Sequence, residues 1–211
     1  MFGITTIPGL VALFTIVGAI LSFYIYDYLG IKSKRVKVAE AKDSFDKIVG
    51  NLSSADNTTK LAAAIMLRRF LDGQNKRKRT FLFQESVNVI SSMLKVLPTG
   101  IFQKTLADGL AHAGNLARVD LQKTNLQDVY LGRKDETVIT VTDTDFYLAD
   151  LSYALLEHVS GKAIFYRAIL FCTQIKNSDL TGSSFREADL TRVNFKNVIL
   201  KDADFTDVLN V

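Results

Sequence analysis

The sequence has few residues suited to covalent or metal chemistry. Its 211 residues include one cysteine, two histidines, two prolines and no tryptophan. A single cysteine excludes a disulfide scaffold and any multi-cysteine zinc or iron–sulfur site. His112 and His158 leave little for a metal centre or a catalytic triad, and no P-loop, HExxH, GxSxG or CxxC motif occurs. We therefore expect no metal, no cofactor and no enzymatic activity.

Charge is distributed unevenly along the chain. Residues 1–105 hold 15 Lys and Arg against 7 Asp and Glu, whereas residues 106–211 hold 11 against 15. The first half therefore carries a formal charge of +8 and the second half −4. A basic half beside an acidic half indicates two modules with different surroundings.

The first 26 residues carry no charged side chain. As a helix, residues 4–26 would be about 35 Å long, enough to cross a hydrocarbon core of about 30 Å. A cleaved signal peptide would need a basic start and a small-residue cleavage site, and this segment has neither; its end is rich in Phe and Tyr instead. Residues 1–31 are therefore predicted to be a transmembrane anchor, with a buried core helix as the alternative.

The charges that flank this segment predict its orientation. Lys32, Lys34, Arg35 and Lys37 follow it, and no basic residue precedes it. The positive-inside rule places the C-terminal side in the cytoplasm, and a free Cys172 agrees with a reducing compartment. The sequence thus predicts a single-pass protein of the bacterial inner membrane with a cytoplasmic C-terminal domain.

Residues 32–113 are predicted to form a small helical module. Apolar residues recur at spacings of three and four over residues 33–49 and in the segments that follow. A second helix, capped by Asn57, Thr58 or Thr59, should reach Gly73. A third should cover residues 81–97, and a fourth residues 102–113.

A run of four cations lies between the second and third of these helices: Lys76, Arg77, Lys78 and Arg79. Such a run binds anionic lipid, nucleic acid or an acidic protein, or it is simply a solvated loop. No aromatic residue interleaves with it, so single-stranded nucleic acid is not specially indicated. Given the anchor, lipid headgroups or an acidic partner are the functional interpretations.

From Gly114 onward the chain repeats every five residues. Sixteen large apolar residues follow this spacing in three runs: Leu116, Leu121, Leu126 and Leu131; Phe146, Leu151 and Leu156; and Phe165, Leu170, Ile175, Leu180, Phe185, Leu190, Phe195, Leu200 and Phe205. A small or β-branched residue precedes each one by two positions. A period of five fits neither an ordinary helix nor a plain strand, and it predicts a stacked solenoid.

These repeats resemble those of the pentapeptide-repeat family over roughly residues 110–207. The family pattern is A-(D/N)-L-x-x, which this chain shows as Ala149-Asp150-Leu151, Ala188-Asp189-Leu190 and the variant Ala203-Asp204-Phe205. The resemblance implies a right-handed quadrilateral parallel β-helix over residues 114–211, so the whole chain is classed as α+β. It also implies that the large residue and the small residue two before it point inward, and that residues twenty apart stack.

Three structural expectations follow from this register. Phe165, Phe185 and Phe205 should share one face of the solenoid. Residues 132–145 break the motif and should form a surface loop, with a small hairpin around residues 138–141, because strict register would bury Glu136. The helix over residues 102–112 should cap the first coil and cover its open sheet edge.

Six outward positions are unexpectedly apolar: Tyr153, Leu155, Ile164, Tyr166, Ile169 and Phe171. Such a cluster indicates a buried contact. Either the 132–145 loop or the helical module covers it, or it is a protein-binding patch with aromatic anchors.

Two further groups of residues could in principle take part in catalysis, but we interpret both as structural. His158 and Cys172 lack a recognisable orienting group, so a thiol nucleophile is not expected. Acidic residues recur just before the large apolar residue, and we interpret them as turn chemistry: Asp120, Asp150, Asp179, Asp189 and Asp204.

The sequence leaves three functions open. The first is a non-enzymatic, membrane-anchored scaffold that displays the solenoid for protein–protein interaction. The second is a membrane-acting effector of a bacterial stress or antiviral system, which works by oligomerisation of its anchor. The third is a nucleic-acid mimic acting on a topoisomerase, disfavoured by the modest −4 charge; direct nucleic-acid binding is not expected.

Self-association is expected at the C-terminal end of the solenoid. The last repeat centre lies only six residues before the end of the sequence, so no capping helix is expected there. An exposed sheet edge pairs with another chain unless it is covered, and a second copy is the simplest cover. The alternatives are that Leu209 and its neighbours fold back as a plug, which leaves a monomer, or that another protein covers the end. The residues expected at this end are Phe205, Val208, Leu209 and Val211.

Overall fold

A computed structural model describes residue 30, residues 33–71 and residues 82–209. The chain divides into two compact units, Met1–Asp46 and Lys47–Val211. The predicted anchor over residues 4–26 and the cationic run at 76–79 lie outside the described residues. Over the described ranges, no helix has the length and hydrophobicity needed to cross a bilayer.

The described residues that precede the solenoid contain four α-helices. They are α1 (33–51), α2 (Asn57–Leu67), α3 (Phe83–Leu94) and α4 (Ile101–Ala113). The sequence placed the cap of the second helix at residues 57–59, whereas Asp56 caps α2 by accepting a hydrogen bond from the Thr59 amide at 2.7 Å. This helix was also expected to reach Gly73. It ends instead at Leu67 and tightens into a 3₁₀ turn, Arg68–Phe70, a common way for an α-helix to end.

Residues 115–209 form a parallel β-solenoid, as the repeat pattern predicted. Its strands are β1 (Tyr130–Leu131), β2 (Ile139–Thr140), β3 (Leu155–Glu157), β4 (Val159–Ser160), β5 (Gln174–Asp179) and β6 (Asn194–Ile199). Every pairing among them is parallel, in the order β1-β3-β5-β4-β2 with β6 also on β5. β5 and β6 each pass through an asparagine with left-handed backbone, Asn177 and Asn197, which lets one strand continue onto the next face.

Four phenylalanine rings form a column inside the solenoid. Phe165 and Phe185 stack with ring centroids 4.8 Å apart, and Phe185 and Phe205 stack at 5.1 Å, so this predicted face is confirmed. Phe146 extends the column, with its ring 4.8 Å from that of Phe165. The sequence pattern missed this contact because residues 146 and 165 are nineteen positions apart rather than twenty.

The corners of the coils rest on left-handed backbone, mostly at residues other than glycine. Sixteen non-glycine residues in the described part of the chain have positive φ, most of them two positions after an inward large residue, as in Arg192 at 57° and Asp202 at 56°; Gly182 takes the same position after Leu180, at 69°. Acidic residues just before the large one stabilise these turns: Asp150 accepts the Ser152 amide at 2.9 Å, and Asp120, Asp179, Asp189 and Asp204 accept the amide two residues on in the same way. The turn-chemistry interpretation is confirmed.

The break in the repeat is shorter than the sequence indicated. Glu136 is exposed, as expected, but Val141 and Thr144 are buried and continue the solenoid. The predicted hairpin is wrong, because β2 pairs in parallel with β4 (Ile139 with Val159) rather than antiparallel with its neighbour. Ile139 hid this quintet in the sequence because it puts a large residue where the pattern expects a small one.

The helices cap the first coil of the solenoid. Gln103 of α4 donates to the Asn125 carbonyl at 2.9 Å and to the Gln127 carbonyl at 3.2 Å. The Asn125 amide donates to the Leu94 carbonyl at 2.8 Å, and Ser91 donates to a carbonyl of the same coil at 2.7 Å. Helices α3 and α4 thus supply the partners that an earlier coil would provide, as the capping prediction for residues 102–112 required.

Candidate protein-binding surface

The six apolar outward residues are all exposed or half-buried. Tyr153 is 61% exposed and Ile169 is 40% exposed. The six do not form one flat patch, because they occupy three consecutive faces and the two corners between them. Ile164 and Leu155 lie on the outer two of these faces, each paired in parallel with its neighbours. The surface therefore centres on the face that carries Ile169 and on its two corners.

The first of these corners is the Tyr153–Phe171 corner. The two rings contact edge to face, with centroids 5.5 Å apart and an angle of 83° between their planes. This geometry is favourable for aromatic pairs. Because Tyr153 is largely exposed, the pair presents an aromatic side to solvent in a fixed orientation.

The other corner is the Tyr147–Tyr166 corner, of which the sequence predicted only Tyr166. Tyr147 stacks on Tyr166 with centroids 5.4 Å apart and planes 18° apart. The Arg167 guanidinium lies 5.2 Å from the centre of the Tyr166 ring. Arg167 donates to Glu187 at 2.6 Å, and the Tyr166 hydroxyl donates to the same carboxylate at 3.2 Å. One carboxylate thus orients both an arginine and a tyrosine.

Arg167 and Glu187 at this corner each stabilise the charged form of the other. The Arg167 hydrogen bond holds the pKa of Glu187 below its ordinary value, and the Glu187 carboxylate raises the pKa of Arg167. Arg186 adds a second cation, with its Nε 3.7 Å from Glu187. Both charges of the Arg167–Glu187 pair are therefore present at neutral pH.

The face between the corners has an apolar centre. Ile169 pairs with Asp150 on one side and with Asp189 on the other, in parallel register. The carboxylates of both aspartates accept backbone amides of their own turns. The exposed Leu148 lies at the Tyr147–Tyr166 corner. The result is an apolar spot between acidic residues, with aromatic side chains on both flanks.

The residues weighed for catalysis are not brought together. His158 lies at the corner that follows β3, whereas Cys172 lies at the Tyr153–Phe171 corner, so different turns of the backbone carry them. In the part of the chain that the structure describes, no group of His, Cys, Asp and Glu could hold a metal ion.

Sequence reasoning missed Tyr147 and the Arg167–Glu187 pair. The sequence did contain a signal, because Tyr147 and Tyr166 are nineteen residues apart and Arg167 and Glu187 twenty, the separations at which this solenoid stacks side chains. The apolar composition of outward positions identified Tyr166, but not Tyr147, and neither residue of the charged pair.

The comparisons with known proteins concern the solenoid. The pentapeptide-repeats family model matches residues 168–207 with eight copies. A search of curated proteins finds no match. Among solved structures, a pentapeptide repeat protein (Rfr23) from the cyanobacterium Cyanothece 51142 aligns over 46% of this chain and 64% of its own, with 23% identity and a TM-score of 0.33.

Two further solved structures align similarly. A pentapeptide repeat protein from the Arabidopsis thaliana thylakoid lumen has 24% identity over 45% of this chain and 61% of its own, with a TM-score of 0.30. HetL from Nostoc sp. strain PCC 7120, involved in heterocyst differentiation regulation, has 24% identity over 44% and 50%, with a TM-score of 0.21. The chain thus spans less than two thirds of the length of each. The family model matches 40 of the 211 residues, and these repeats lie within the parallel solenoid over residues 115–209.

Proposed function

We propose that this chain is a non-enzymatic, membrane-anchored scaffold that binds a protein through the Ile169 face and its two aromatic corners. The observation that carries the proposal is the Tyr147–Tyr166 corner, where stacking and the Glu187 carboxylate fix two tyrosines and an arginine. Tyrosine and arginine are enriched among the residues that dominate binding energy at protein interfaces. Side chains that are already ordered lose less entropy when a partner binds.

The capped solenoid supports this function by holding the surface rigid. Backbone hydrogen bonds join successive coils at Ile169, whose amide donates to the Ala149 carbonyl at 2.9 Å. Phe165 and Leu170, the inward neighbours of this surface, are at most 1% exposed. A partner would therefore meet a surface whose backbone is already in place.

Site-specific photo-crosslinking tests the binding surface. A photoreactive phenylalanine analogue placed at Tyr153 or Ile169 in the full-length protein should give a discrete cross-linked product in cells. The matched control is the same analogue at Ile199, which is 55% exposed on a different face. Substitution Arg167→Ala should weaken the product formed from Ile169. Equal products from Ile169 and Ile199, or a product that Arg167→Ala leaves unchanged, would refute this surface.

The proposed anchor is residues 4–26, with the solenoid on the cytoplasmic side. The support is the uncharged span followed by Lys32, Lys34 and Arg35 in the sequence. Cysteine labelling tests it, in a Cys172→Ser background with Asn75→Cys. The new thiol should resist an impermeant reagent in intact cells and react after permeabilisation. Reaction in intact cells would reverse the orientation.

A second candidate is a membrane-acting effector that works by self-association, and the final coil favours it. Phe195, Leu200 and Phe205 point inward yet are half-buried, whereas Phe185 is fully buried. Leu209 is 59% exposed. The described solenoid therefore ends in a partly exposed apolar cross-section with a strand edge, which a second copy would cover.

Light scattering tests this self-association. A chain lacking residues 1–31 should be a dimer at tens of micromolar, and Leu209→Lys should convert it to a monomer. In the effector interpretation, the full-length protein should also release dye from vesicles, and Leu209→Lys should abolish that release. A monomer whose mass Leu209→Lys does not change would refute self-association.

Two other residues were expected at this self-association end. Val208 is half-buried, and Val211 lies outside the described residues.

A further inference from the structure

A cavity of about 480 Å³ lies where the helical module meets the segment after β1. Its wall includes Arg68 of the 3₁₀ turn, His112 of α4, and Arg133 and Lys134 of the inserted segment. All of these residues belong to the unit Lys47–Val211. The volume falls within the range of about 300–1,000 Å³ that is usual for small-ligand pockets.

Arg68 has a hydrogen-bonding group that the protein does not satisfy. Its Nη2 pairs with Asp108 at 2.5 Å and donates to the Thr105 carbonyl at 3.4 Å. Its Nε is buried and has no hydrogen-bond partner among the described residues; no other buried side-chain nitrogen or oxygen there lacks one. Burying an N–H without an acceptor is costly. Independently of Nε, the contacts with Asp108 and Thr105 use only part of the hydrogen-bonding capacity of the guanidinium group.

Arg133 is the second half-buried cation of this cavity. Its side chain is 18% exposed, less than any other basic residue in the described ion pairs. Its Nη1 donates to the His112 carbonyl at 3.0 Å, and its Nε pairs with Asp135 at 3.3 Å. The same Asp135 oxygen also accepts both the amide and the hydroxyl of Thr137. Asp135 is therefore occupied by its own turn, and Arg133 has N–H donors left for a ligand.

The charges of the wall favour an anion. Three cations, Arg68, Arg133 and Lys134, line the cavity with two carboxylates, Asp108 and Asp135. Each carboxylate is paired with one of the arginines, so the positive charge of Lys134 is left over. Guanidinium groups match the geometry of phosphate oxygens, and lysine adds a point charge.

We propose that this cavity binds a phosphate group, with Arg68, Arg133 and Lys134 as its contacts. The phosphate belongs either to a lipid headgroup or to a small soluble phosphate ester. This site lies apart from the Ile169 face and does not depend on the proposed scaffold function.

Isothermal titration of the full-length protein in a neutral detergent tests the proposal. The soluble probes are inorganic phosphate and glycerol 3-phosphate. The lipid probes are mixed micelles that contain short-chain phosphatidylglycerol or, for comparison, phosphatidylcholine. At least one probe should bind saturably at one site per chain. Arg68→Gln and Lys134→Gln should each weaken that binding about tenfold or more, the loss of one charged hydrogen bond. Arg192→Gln, which removes an exposed arginine at a distant corner, should leave it unchanged.

The probes distinguish the two sources of phosphate. Binding of soluble phosphate assigns a soluble ester, and binding of phosphatidylglycerol micelles alone assigns a lipid headgroup; either result supports the site. Because Lys134 is exposed, its substitution tests the site even if Arg68→Gln impairs folding. The proposal is overturned if no probe binds saturably, or if Lys134→Gln binds as tightly as the unsubstituted protein.

Discussion

Phe185→Ala should be among the most destabilising single substitutions in the solenoid. Phe185 is fully buried, and its ring stacks between Phe165 at 4.8 Å and Phe205 at 5.1 Å, with Phe195 edge-on at 6.1 Å. Truncation of a buried Phe to Ala costs about 3–5 kcal/mol. That range already includes the ring contacts, which are worth about 0.5–1.5 kcal/mol each beyond buried area. Because the substitution removes three such contacts, we expect the upper end of the range, a loss of about 4–5 kcal/mol in the free energy of unfolding.

Urea unfolding of the full-length protein, followed by far-UV circular dichroism, measures this loss. With a slope of about 2 kcal/mol per molar urea, the midpoint should fall by roughly 2 M. Phe171→Ala is the matched control, because this half-buried side chain has one edge-to-face contact with Tyr153. It should cost about 1 kcal/mol. Equal losses at the two positions would show that the assignment of inward and outward side chains is wrong.

Three further substitutions test the polar core, a turn and a charged loop. Thr173→Val removes a buried hydroxyl that donates to a carbonyl at 2.7 Å and should cost about 1 kcal/mol in urea unfolding. Gly161→Ala should cost more than about 2 kcal/mol by the same assay, because φ is +132° and the new Cβ would lie 2.6 Å from the Thr142 amide nitrogen. Hydrogen bonds, chiefly from Thr137, lower the pKa of Asp135 from 3.8 to about 2. Asp135→Asn should therefore lower the urea midpoint at pH 5, and this difference should shrink as pH falls from 3.8 to about 2.

The fold of the solenoid is readable in the sequence because inward positions carry one strong constraint. A side chain that stacks on its own equivalent one coil away must be apolar and of similar size, so Phe185 and Leu190 could be assigned inward positions from spacing alone. The constraint becomes harder to detect where the spacing changes. Phe146 and Phe165 stack across nineteen residues, and Ile139 occupies a position where the pattern expects a small residue.

The surface features were less predictable, because outward side chains need only tolerate water. The sequence identified Tyr166 as apolar at an outward position, but the contact with Tyr147 depends on which coil lies beneath it. The cavity around Arg68 is formed by three segments far apart in the sequence. No local sequence pattern indicates that the 3₁₀ turn at Arg68 and the segment after β1 lie next to each other. Such sites become visible only once the packing of the cap on the first coil is known.

The cap that α3 and α4 place on the first coil also bears on the order in which the protein is made. The helices precede the repeats in the sequence, so they leave the ribosome before any coil does. Each coil of about twenty residues then emerges in roughly 1–4 s at typical synthesis rates. The new coil forms hydrogen bonds with the unpaired amides and carbonyls of the structure that is already folded. In the first coil, Asn125 does so with Gln103 and Leu94. The solenoid can therefore grow in one direction from a seed made first, and at each stage only the edge of the most recently formed coil is unpaired.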